Sequence, residues 1–494
     1  MVSPQLLDLP DELLLQIVSH LDPSSVIPLH STCKRLRSLT RSDPTLWRNL
    51  CASQAILDST AAEAYTHFSR TDELAVVIDS WPYTDVDWYS EYKFRHAPLS
   101  TRWLSPLEDE VKGLAAITTN NTHKHLLISP LEDGAVSIWS PSTGENVARS
   151  SAGVLHTPLP PASRKSRIAE LGDNAVASAE LDRIYVASDS TLIELSLTTL
   201  QVVSKTKFPF SISTLNNQVV LPHPLTVGTT LTLHLHDPRT PHIAASADLP
   251  ENYTLHAPLF QPSPLAILHH PNDSLFVAGR FPSILCYDRA MWPKLKGALF
   301  SGGSLCTLAA DGMHGLIAGG TYNGRGTLEA YDLLSGSKEA RQKNRQSAAW
   351  GKILSVAKQG TRVVSCDSEG TISWFERDCR YVVRREEVFD PDAGPPQGTL
   401  WSSATDEGCG PVRKVAVMDS EDGVEEGLGV WAGERVGVLA PVKEEKDVDE
   451  LDDDLVLVES REDIIESEMA ERMRLALHAH ANELRILGSL AGLA

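Results

Sequence analysis

A repeated pattern of short strands constrains this 494-residue chain more than any other feature of its sequence. From about residue 100 the same unit recurs: a strand of small residues, a tight polar turn, and an alternating strand that ends in an aromatic residue and an acid. Short alternating runs that are bounded by glycine, aspartate and asparagine are typical of β-strands. The clearest copies are LLISPLEDGAVSIWS (126–140), IYVASDSTLIELS (184–196), LFVAGRFPSILCYD (275–288), LIAGGTYNGRGTLEAYD (316–332) and RVVSCDSEGTISWFE (362–376).

The spacing of the copies indicates a β-propeller. A weaker copy ends at Asp237, and LGVWAGERVGVLA (428–440) is interpreted as the last. Successive units lie 56, 41, 51, 44, 44 and 64 residues apart, and repeats of about 40 to 50 residues are typical of propeller blades. We therefore predict seven blades, with six or eight as alternatives, and insertions at 150–170 and 390–411. The residues that align at the end of the units are Trp139, Leu195, His236, Tyr287, Tyr331, Phe375 and Leu439.

These units resemble degenerate WD repeats. Tyr287-Asp288 and Tyr331-Asp332 stand where that family has its Trp-Asp pair, although no unit has the full set of family residues. The resemblance implies that the turn between the second and third strands lies on the same rim as the blade-to-blade connections, a face commonly used for partners. The target-binding residues predicted on this rim are Arg280, Phe281, Tyr322, Asn323, Arg325, Trp350, Lys352 and Arg435.

Arginines beside aromatic side chains suit a carboxylate or phosphate of the target, because guanidinium groups form paired, charge-assisted hydrogen bonds with such anions. The alternative is that Gly324 and Gly326 mark an ordinary turn with Arg325 as its solvated tip. Acids are also expected on this rim, which makes it electrostatically divided. They are Glu132, Asp133, Asp189, Asp367 and Glu369.

The first fifty residues have a helical pattern instead. Pro10 followed by two acids favours a helix start, because proline lacks the N–H that would be unpaired there and the acids complement the helix dipole. Ser42-Asp43-Pro44 is a second start signal. The apolar positions are Leu13, Leu14, Ile17, Val18 and Leu21 in the first helix, Val26, Leu29, Cys33 and Leu36 in the second, and Leu46, Trp47 and Leu50 in the third.

This segment resembles an F-box over residues 6–52. The resemblance rests on Leu9-Pro10-x-Glu12, Ile17, Leu21, Cys33-x-Arg35 and Leu46-Trp47. It implies binding to the small adaptor subunit of a cullin-RING (SCF) ubiquitin ligase and, through it, to cullin and RING subunits. The alternative for any single residue is packing within its own helical bundle. The residues implied for adaptor binding are Leu9, Pro10, Leu13, Ile17, Leu21, Val26, Leu29, Leu46 and Trp47.

The composition of the remaining segments predicts the domain boundaries of the chain. The aromatic and basic stretch DWYSEYKFRHAP (87–98) is interpreted as packing of a helical linker against the following domain, and not as a nucleic-acid surface. Residues 444–471 carry 14 acids against two bases, which gives −12 of the chain's net charge of −21. The stretch KEEKDVDELDDD (443–454) has the composition of a disordered linker. The expected domains are an F-box (1–52), a linker (53–100), an all-β propeller (101–441), an acidic disordered linker (442–459) and a C-terminal amphipathic helix (460–494).

Catalytic and metal-binding signatures are missing from the sequence. There is no G-x-S-x-G or H-E-x-x-H, and Gly351-Lys352 lacks the glycine of a phosphate loop five residues earlier. His234 and His236 share a strand face without a third ligand nearby. The seven cysteines contain no C-x-x-C pair, and no long apolar run or secretory signal is visible. We expect no cofactor or metal, no nucleic-acid or membrane partner, and a location in the cytoplasm or nucleus.

Together these segments resemble the F-box/WD-repeat proteins, and AGRFPSI and YNGRGTLE are similar to a fungal branch of them. The resemblance implies a non-catalytic substrate receptor of an SCF ubiquitin ligase, in which the propeller binds a target protein. A scaffold that binds the adaptor outside any ligase is the alternative. A propeller enzyme is disfavoured, because the acid–base and metal groups that such chemistry needs are missing.

Overall fold

The computed structural model of the chain describes residues 9–21, 26, 29, 34–51, 87–96, 99–106, 108–119, 125–155, 172–216, 218–219, 225–236, 256–259, 261–271, 273–289, 291–312, 315–333, 341–380, 382–388, 410–418 and 427–441. The chain divides into two compact units, Met1–Ser100 with Pro441–Ala494, and Thr101–Ala440. The predicted linker up to residue 86, the acidic segment 442–459 and the predicted C-terminal helix lie outside the described residues. Within them, no helix has the length and apolar character needed to span a membrane.

The first unit begins with helix α1 (Asp11–Val18), where the sequence predicts a helix. Pro10 precedes it with a ψ of 151°, and two acids occupy the first turn. Leu14 and Val18 lie one turn apart and are 1% and 2% exposed. This pair is therefore the core-facing side of α1.

Two further helical segments complete the core of this unit. They are α2 (Lys34–Ser42) and α3 (residues 44–51), which begins after Asp43 as predicted. Trp47 is fully buried, and its indole N–H donates a hydrogen bond to the Thr40 carbonyl oxygen at 2.9 Å. Because a buried indole N–H needs an acceptor, this bond fixes the position of α3 against the end of α2.

Helix α4 (Trp88–His96) packs against the same tryptophan. The Tyr89 and Tyr92 rings lie 4.9 Å and 5.1 Å from the Trp47 ring, and the Asp87 carboxylate caps the helix by accepting the Tyr89 N–H at 3.1 Å. These two tyrosines complete the aromatic core of the first unit, and the predicted packing of this aromatic group against the following domain stays a prediction.

We expect Tyr89→Ala to destabilise the first unit by about 2 kcal/mol, because it removes an edge-to-face ring contact and the Arg41 guanidinium contact at 5.2 Å. Amide hydrogen exchange of α2 and α3 in the full chain should then accelerate roughly 30-fold. Tyr89→Phe keeps the ring and should leave exchange nearly unchanged. Equal protection in Tyr89→Ala would show that the Tyr89 ring contributes no stability to α2 and α3.

In its described residues the second unit contains seven four-stranded sheets, which confirms the predicted count of seven blades. Blades 1 to 3 comprise β2 (Ala115–Thr118), β3 (His125–Pro130), β4 (Val136–Trp139), β5 (Asn146–Arg149), β6 (Ala175–Ser178), β7 (Arg183–Ser188), β8 (Thr191–Ser196), β9 (Val202–Lys207), β10 (Ile212–Leu215), β11 (Leu225–Thr229), β12 (Thr232–His236) and β13 (His256–Pro258). Blades 4 and 5 comprise β14 (Pro264–His269), β15 (Ser274–Gly279), β16 (Ser283–Asp288), β17 (Leu295–Phe300), β18 (Ser304–Asp311), β19 (Gly315–Tyr322), β20 (Arg325–Asp332) and β21 (Arg341–Ala349). Blades 6 and 7 comprise β22 (Ile353–Gln359), β23 (Arg362–Asp367), β24 (Thr371–Glu376), β25 (Val382–Glu387), β26 (Val412–Met418), β27 (Gly427–Ala432), β28 (Arg435–Pro441) and β1 (Leu99–Trp103).

The seven residues aligned from the sequence occupy the same place in every blade. Each lies near the end of the third strand, none is more than 8% exposed, and each pairs with an apolar residue of the second strand. The repeat in the sequence is therefore the repeat of one buried cross-strand pair. The pairs are Leu127–Trp139, Ile184–Leu195, Leu225–His236, Leu275–Tyr287, Leu316–Tyr331, Val363–Phe375 and Leu428–Leu439.

The ring is closed by residues from both ends of the second unit. Strand β1 supplies the outer strand of blade 7, beside β28. The Leu104 N–H donates to the Val436 carbonyl oxygen at 2.9 Å, and the Val436 N–H donates to the Ser105 hydroxyl at 2.9 Å. Strand β26 of blade 7 also contacts β2 of blade 1. Closure therefore couples residues more than 300 positions apart in sequence.

Candidate partner-binding surfaces

One side of α1 carries apolar side chains that the core does not cover. Leu13 and Ile17, at i and i+4, are 46% and 41% exposed. Pro10 is also exposed, and Leu9 and Leu21 are half-buried. We call these five residues the apolar α1 surface. They are five of the nine residues predicted to bind an adaptor.

The other predicted adaptor residues belong mainly to the core. Val26, Leu46 and Trp47 are 0%, 3% and 0% exposed, and Leu29 is half-buried. Their side chains fill space inside the helical unit, which leaves the three buried ones no area to offer a partner. The sequence pattern alone does not separate these two groups, because both have the same apolar spacing.

Arg35 of α2 holds the entry to α1. Its guanidinium donates to the Leu9 carbonyl oxygen at 2.9 Å and to the Asp11 carboxylate at 2.6 Å. Both contacts are exposed, so their value lies in orientation more than in stability. They fix the chain where the apolar α1 surface begins.

On the propeller, the structure corrects the prediction for Phe281. Its ring is 4% exposed and packs in the core of blade 4 with Leu285 and Tyr287. Gly279 provides the space, because a Cβ on this residue would lie 2.5 Å from the Phe281 ring. Phe281 therefore fills the interior behind the turn and does not face a target.

Arg435 is committed to ring closure in blade 7. Its guanidinium lies 5.0 Å from the Trp103 ring and donates to the Ser105 carbonyl oxygen at 3.1 Å. It is half-buried and lies two blades away from Arg325. The structure therefore does not bring Arg435 together with the predicted target-binding residues of blades 4 and 5.

Arg280 and Lys352 differ in exposure. Arg280 is exposed at the turn of blade 4, and its charge opposes the burial that raises the pKa of the Cys306 thiol to about 12. Lys352 is half-buried between blades 5 and 6, and burial lowers the pKa of its amine to about 8. The Lys352 amine is still mainly cationic at neutral pH.

Arg325 and Trp350 form an exposed stacked pair. Asn323 and Gly324 have φ values of 51° and 79°, the left-handed conformation of a tight hairpin turn, and they bring Arg325 opposite Tyr322. The Arg325 guanidinium lies 4.7 Å from the Trp350 ring, and Trp350 is 78% exposed. The predicted residues of blade 5 are thus assembled on one rim.

A second stacked pair lies beside the first and is held by hydrogen bonds to a buried carboxylate. The Arg345 guanidinium lies 4.3 Å from the Tyr322 ring and donates to the Glu329 carboxylate at 2.9 Å. Glu329 is fully buried and also accepts hydrogen bonds from the Tyr331 hydroxyl and, at 2.8 Å, from the Ser301 hydroxyl. This network fixes the orientation of Arg345 and, through it, of Tyr322.

Phe300 extends the same surface into blade 4. It ends β17 and is 74% exposed. Gly302, with a φ of 83°, adjoins both rings, because a Cβ on it would lie 3.5 Å from Tyr322 and 3.6 Å from Phe300. We call Phe300, Tyr322, Arg345, Arg325 and Trp350 the arginine–aromatic row.

The centre of the ring contains a cavity of about 510 Å³. Most of its cations are already paired, which disfavours it as an anion site: Lys358 with Asp311 at 3.1 Å, Lys414 with Asp173 at 2.5 Å and Arg289 with Asp273 at 2.8 Å. Arg413 stacks 5.7 Å from the Trp431 ring and donates to the Gly433 carbonyl oxygen, and burial lowers its pKa. None of these residues is signalled by a sequence motif.

The histidines of β12 have other partners. His234 lies 2.7 Å from the Thr232 hydroxyl, and His236 lies 2.8 Å from the Glu194 carboxylate of blade 2. Among the described residues, no three His, Cys, Asp or Glu side chains are grouped so that they could hold a metal ion. In the structure, His236 therefore links two blades.

Comparison with known proteins gives a family match at the N-terminus and structural neighbours for the propeller. Residues 6–53 match the F-box-like family model. No curated protein matches the chain. The crystal structure of RRP9 WD40 repeats is 12% identical with a TM-score of 0.47, over 70% of this chain and 98% of that one. The chain thus carries an F-box-like domain followed by a seven-bladed β-propeller, the domain combination of F-box/WD-repeat proteins.

Proposed function

We propose that this chain is the substrate-recognition subunit of an SCF-type cullin-RING ubiquitin ligase. In this proposal the F-box-like domain binds the adaptor subunit, which connects it to cullin and RING subunits, and the propeller binds the target protein. The chain supplies proximity between the target and a ubiquitin-conjugating enzyme. Holding two reactants together is itself a large contribution to rate, so the chain needs no catalytic residues of its own.

The apolar α1 surface is the observation that carries this proposal. A helix whose Leu14 and Val18 already fill its own core has no internal use for exposed Leu13 and Ile17. Apolar side chains grouped on an exposed helix face are typical of a protein interface. Their position inside the F-box-like match, directly after Leu9-Pro10, favours the adaptor subunit as the partner.

A scaffold that binds the adaptor outside a ligase is the second candidate, and it shares the apolar α1 surface. The two functions differ in whether a cullin accompanies the adaptor. We expect cullin and RING subunits in complexes purified through the full chain, in amounts comparable with the adaptor. Adaptor without cullin, measured by quantitative mass spectrometry with the proteasome inhibited, would favour the scaffold.

On the propeller, we propose that an acidic or phosphorylated segment of the target faces Arg280, Arg325 and Lys352. These cations lie in neighbouring turns of a chain whose net charge is −21. An opposite charge on the target would speed association and select against basic partners.

Reversing two of these charges, with Arg280→Glu and Arg325→Glu together, should weaken target binding roughly tenfold, because exposed charge pairs contribute up to about 1 kcal/mol each. The target should persist longer in cells while adaptor binding is unchanged. Phosphatase treatment of the target should have the same effect if the acid is a phosphate. Lys205→Glu with Lys207→Glu, on the exposed outer strand of blade 2, makes the same charge change and is the matched control. Unchanged turnover in the first variant would remove Arg280 and Arg325 from the target surface.

A further inference from the structure

Phe300 and Trp350 are exposed to an extent that few large apolar side chains are. At 74% and 78%, they are the two most exposed large hydrophobic residues in the part of the chain that the structure describes. Phe300 ends the outer strand of blade 4, Trp350 follows the outer strand of blade 5, and the two blades are neighbours. Single exposed apolar residues need no explanation, whereas two aromatic rings in one continuous row on one rim indicate an interface.

The row is also held in place before any partner arrives. Arg345 is fixed by the buried Glu329 carboxylate and by the Ser301 carbonyl oxygen, and its guanidinium covers one face of Tyr322. Arg325 covers one face of Trp350 in the same way. Because the side chains are already ordered, binding loses less conformational entropy than it would on a mobile surface.

Aromatic burial outweighs charge on this row. An exposed ion pair changes affinity by at most about fivefold, whereas truncating a tryptophan at the centre of an interface typically costs about 30-fold or more. Tryptophan, tyrosine and arginine are also the residues most enriched among such energetically dominant positions. The row contains all three.

We infer that the arginine–aromatic row binds a segment of the target protein through one large apolar side chain, aromatic or branched aliphatic, that packs on Trp350. The inference rests on the proposed function and names the target feature that supplies most of the affinity. Asp or Glu residues flank the apolar residue in this segment, because Arg325 lies in the row and Arg280 and Lys352 lie in neighbouring turns. Lysine and arginine are selected against at the same positions.

Peptide display on the full chain, purified with its adaptor, tests this inference without knowledge of the target. The probe is a random 12-residue peptide library on phage. We expect the enriched peptides to share one large apolar position with acidic neighbours. Their binding should fall at least about 30-fold in Trp350→Ala, recover in Trp350→Phe and fall no more than about fivefold in Arg325→Gln. Met291→Ala removes another exposed apolar side chain, on the opposite rim, and should leave peptide binding unchanged.

Three results would overturn the inference: no peptide enriched over a blank surface, enriched peptides without a shared apolar position, or binding that survives Trp350→Ala. Trp350 is too exposed for its truncation to unfold the blade, and a thermal melt of each variant checks this. Cullin and adaptor are quantified in the same preparations. Peptide binding without cullin would contradict the ligase role but not the inference. Cullin without peptide binding would contradict the inference but not the ligase role.

Discussion

Replacement of Leu13 and Ile17 by glutamate is expected to abolish co-purification of the adaptor subunit with the full chain. These side chains are the exposed centre of the apolar α1 surface. An interface that covers them would have to bury two carboxylates without partners. Two central interface positions worth about 2 kcal/mol each correspond to roughly a thousandfold loss of affinity, measurable by calorimetry with purified adaptor.

The control keeps the same charge change away from this surface. Thr45→Glu and Asn49→Glu replace exposed polar residues of α3, one turn apart like Leu13 and Ile17, and should leave adaptor binding intact. Circular dichroism should show that both double variants are folded, since none of the four side chains is buried. Full adaptor binding by the Leu13→Glu, Ile17→Glu variant, or by a chain lacking residues 1–52, would contradict the assignment of this surface.

The propeller could be predicted because each blade repeats one buried position. Trp139, Tyr287 and Phe375 differ in size, yet all lie at the same cross-strand pair. Burial in an alternating strand favours an apolar residue there, with His236 as the polar exception, and a periodic constraint is visible in sequence even when individual residues vary. The seven-blade count followed from this pattern.

The fourth strand of blade 7 could not be predicted in the same way. Strand β1 has the sequence LSTRW and alternates between half-buried and exposed residues, because an outer strand faces the core on one side only. Its partner β28 is more than 300 residues away. Local periodicity contains no information on such a pairing, and only ring closure reveals it.

The sequence predicts only part of the arginine–aromatic row. Tyr322, Arg325 and Trp350 were placed on one rim by their turns, and the structure assembles them. Phe300 and Arg345 were missed, because both lie in outer strands whose sequence shows no motif. Turn position predicts which residues lie on a rim, but the stacking partners are determined by side-chain packing between blades.

Phe281 is predicted on the rim but is buried in the structure. It follows an exposed arginine in a turn, which is the usual place for a solvent-facing side chain. The ring turns inward because Gly279 leaves an unfilled volume beneath it. Burial of a phenylalanine is favourable by about 2 to 3 kcal/mol relative to exposure, which is sufficient to determine its orientation.

Glu329→Ala is expected to lower the stability of the propeller by about 3 to 5 kcal/mol. Glu329 is fully buried and accepts hydrogen bonds from Tyr331, Ser301 and Arg345. Burial, followed by the neighbouring carboxylate, raises the pKa of the Tyr331 hydroxyl, so it stays protonated as a donor. Removing the shared acceptor leaves a buried hydroxyl and a cation without their partner, the costly case for a buried ion pair.

For a unit of this size, that loss corresponds to a fall of about 4 to 7 °C in melting temperature, measurable by calorimetry on the full chain. Glu329→Gln retains one acceptor oxygen, and its melting temperature should lie between those of Glu329→Ala and the unsubstituted chain. Glu194→Ala removes another buried acid, which lies in blade 2 and is paired with His236 of blade 3, and is the matched control. We expect both alanine variants to lose stability but only Glu329→Ala to lose peptide binding. That result would show that the loss of binding is specific to the arginine–aromatic row, because Glu329 is the acid that orients Arg345 against Tyr322. An unchanged melting temperature in Glu329→Ala would show that the row is ordered by other contacts.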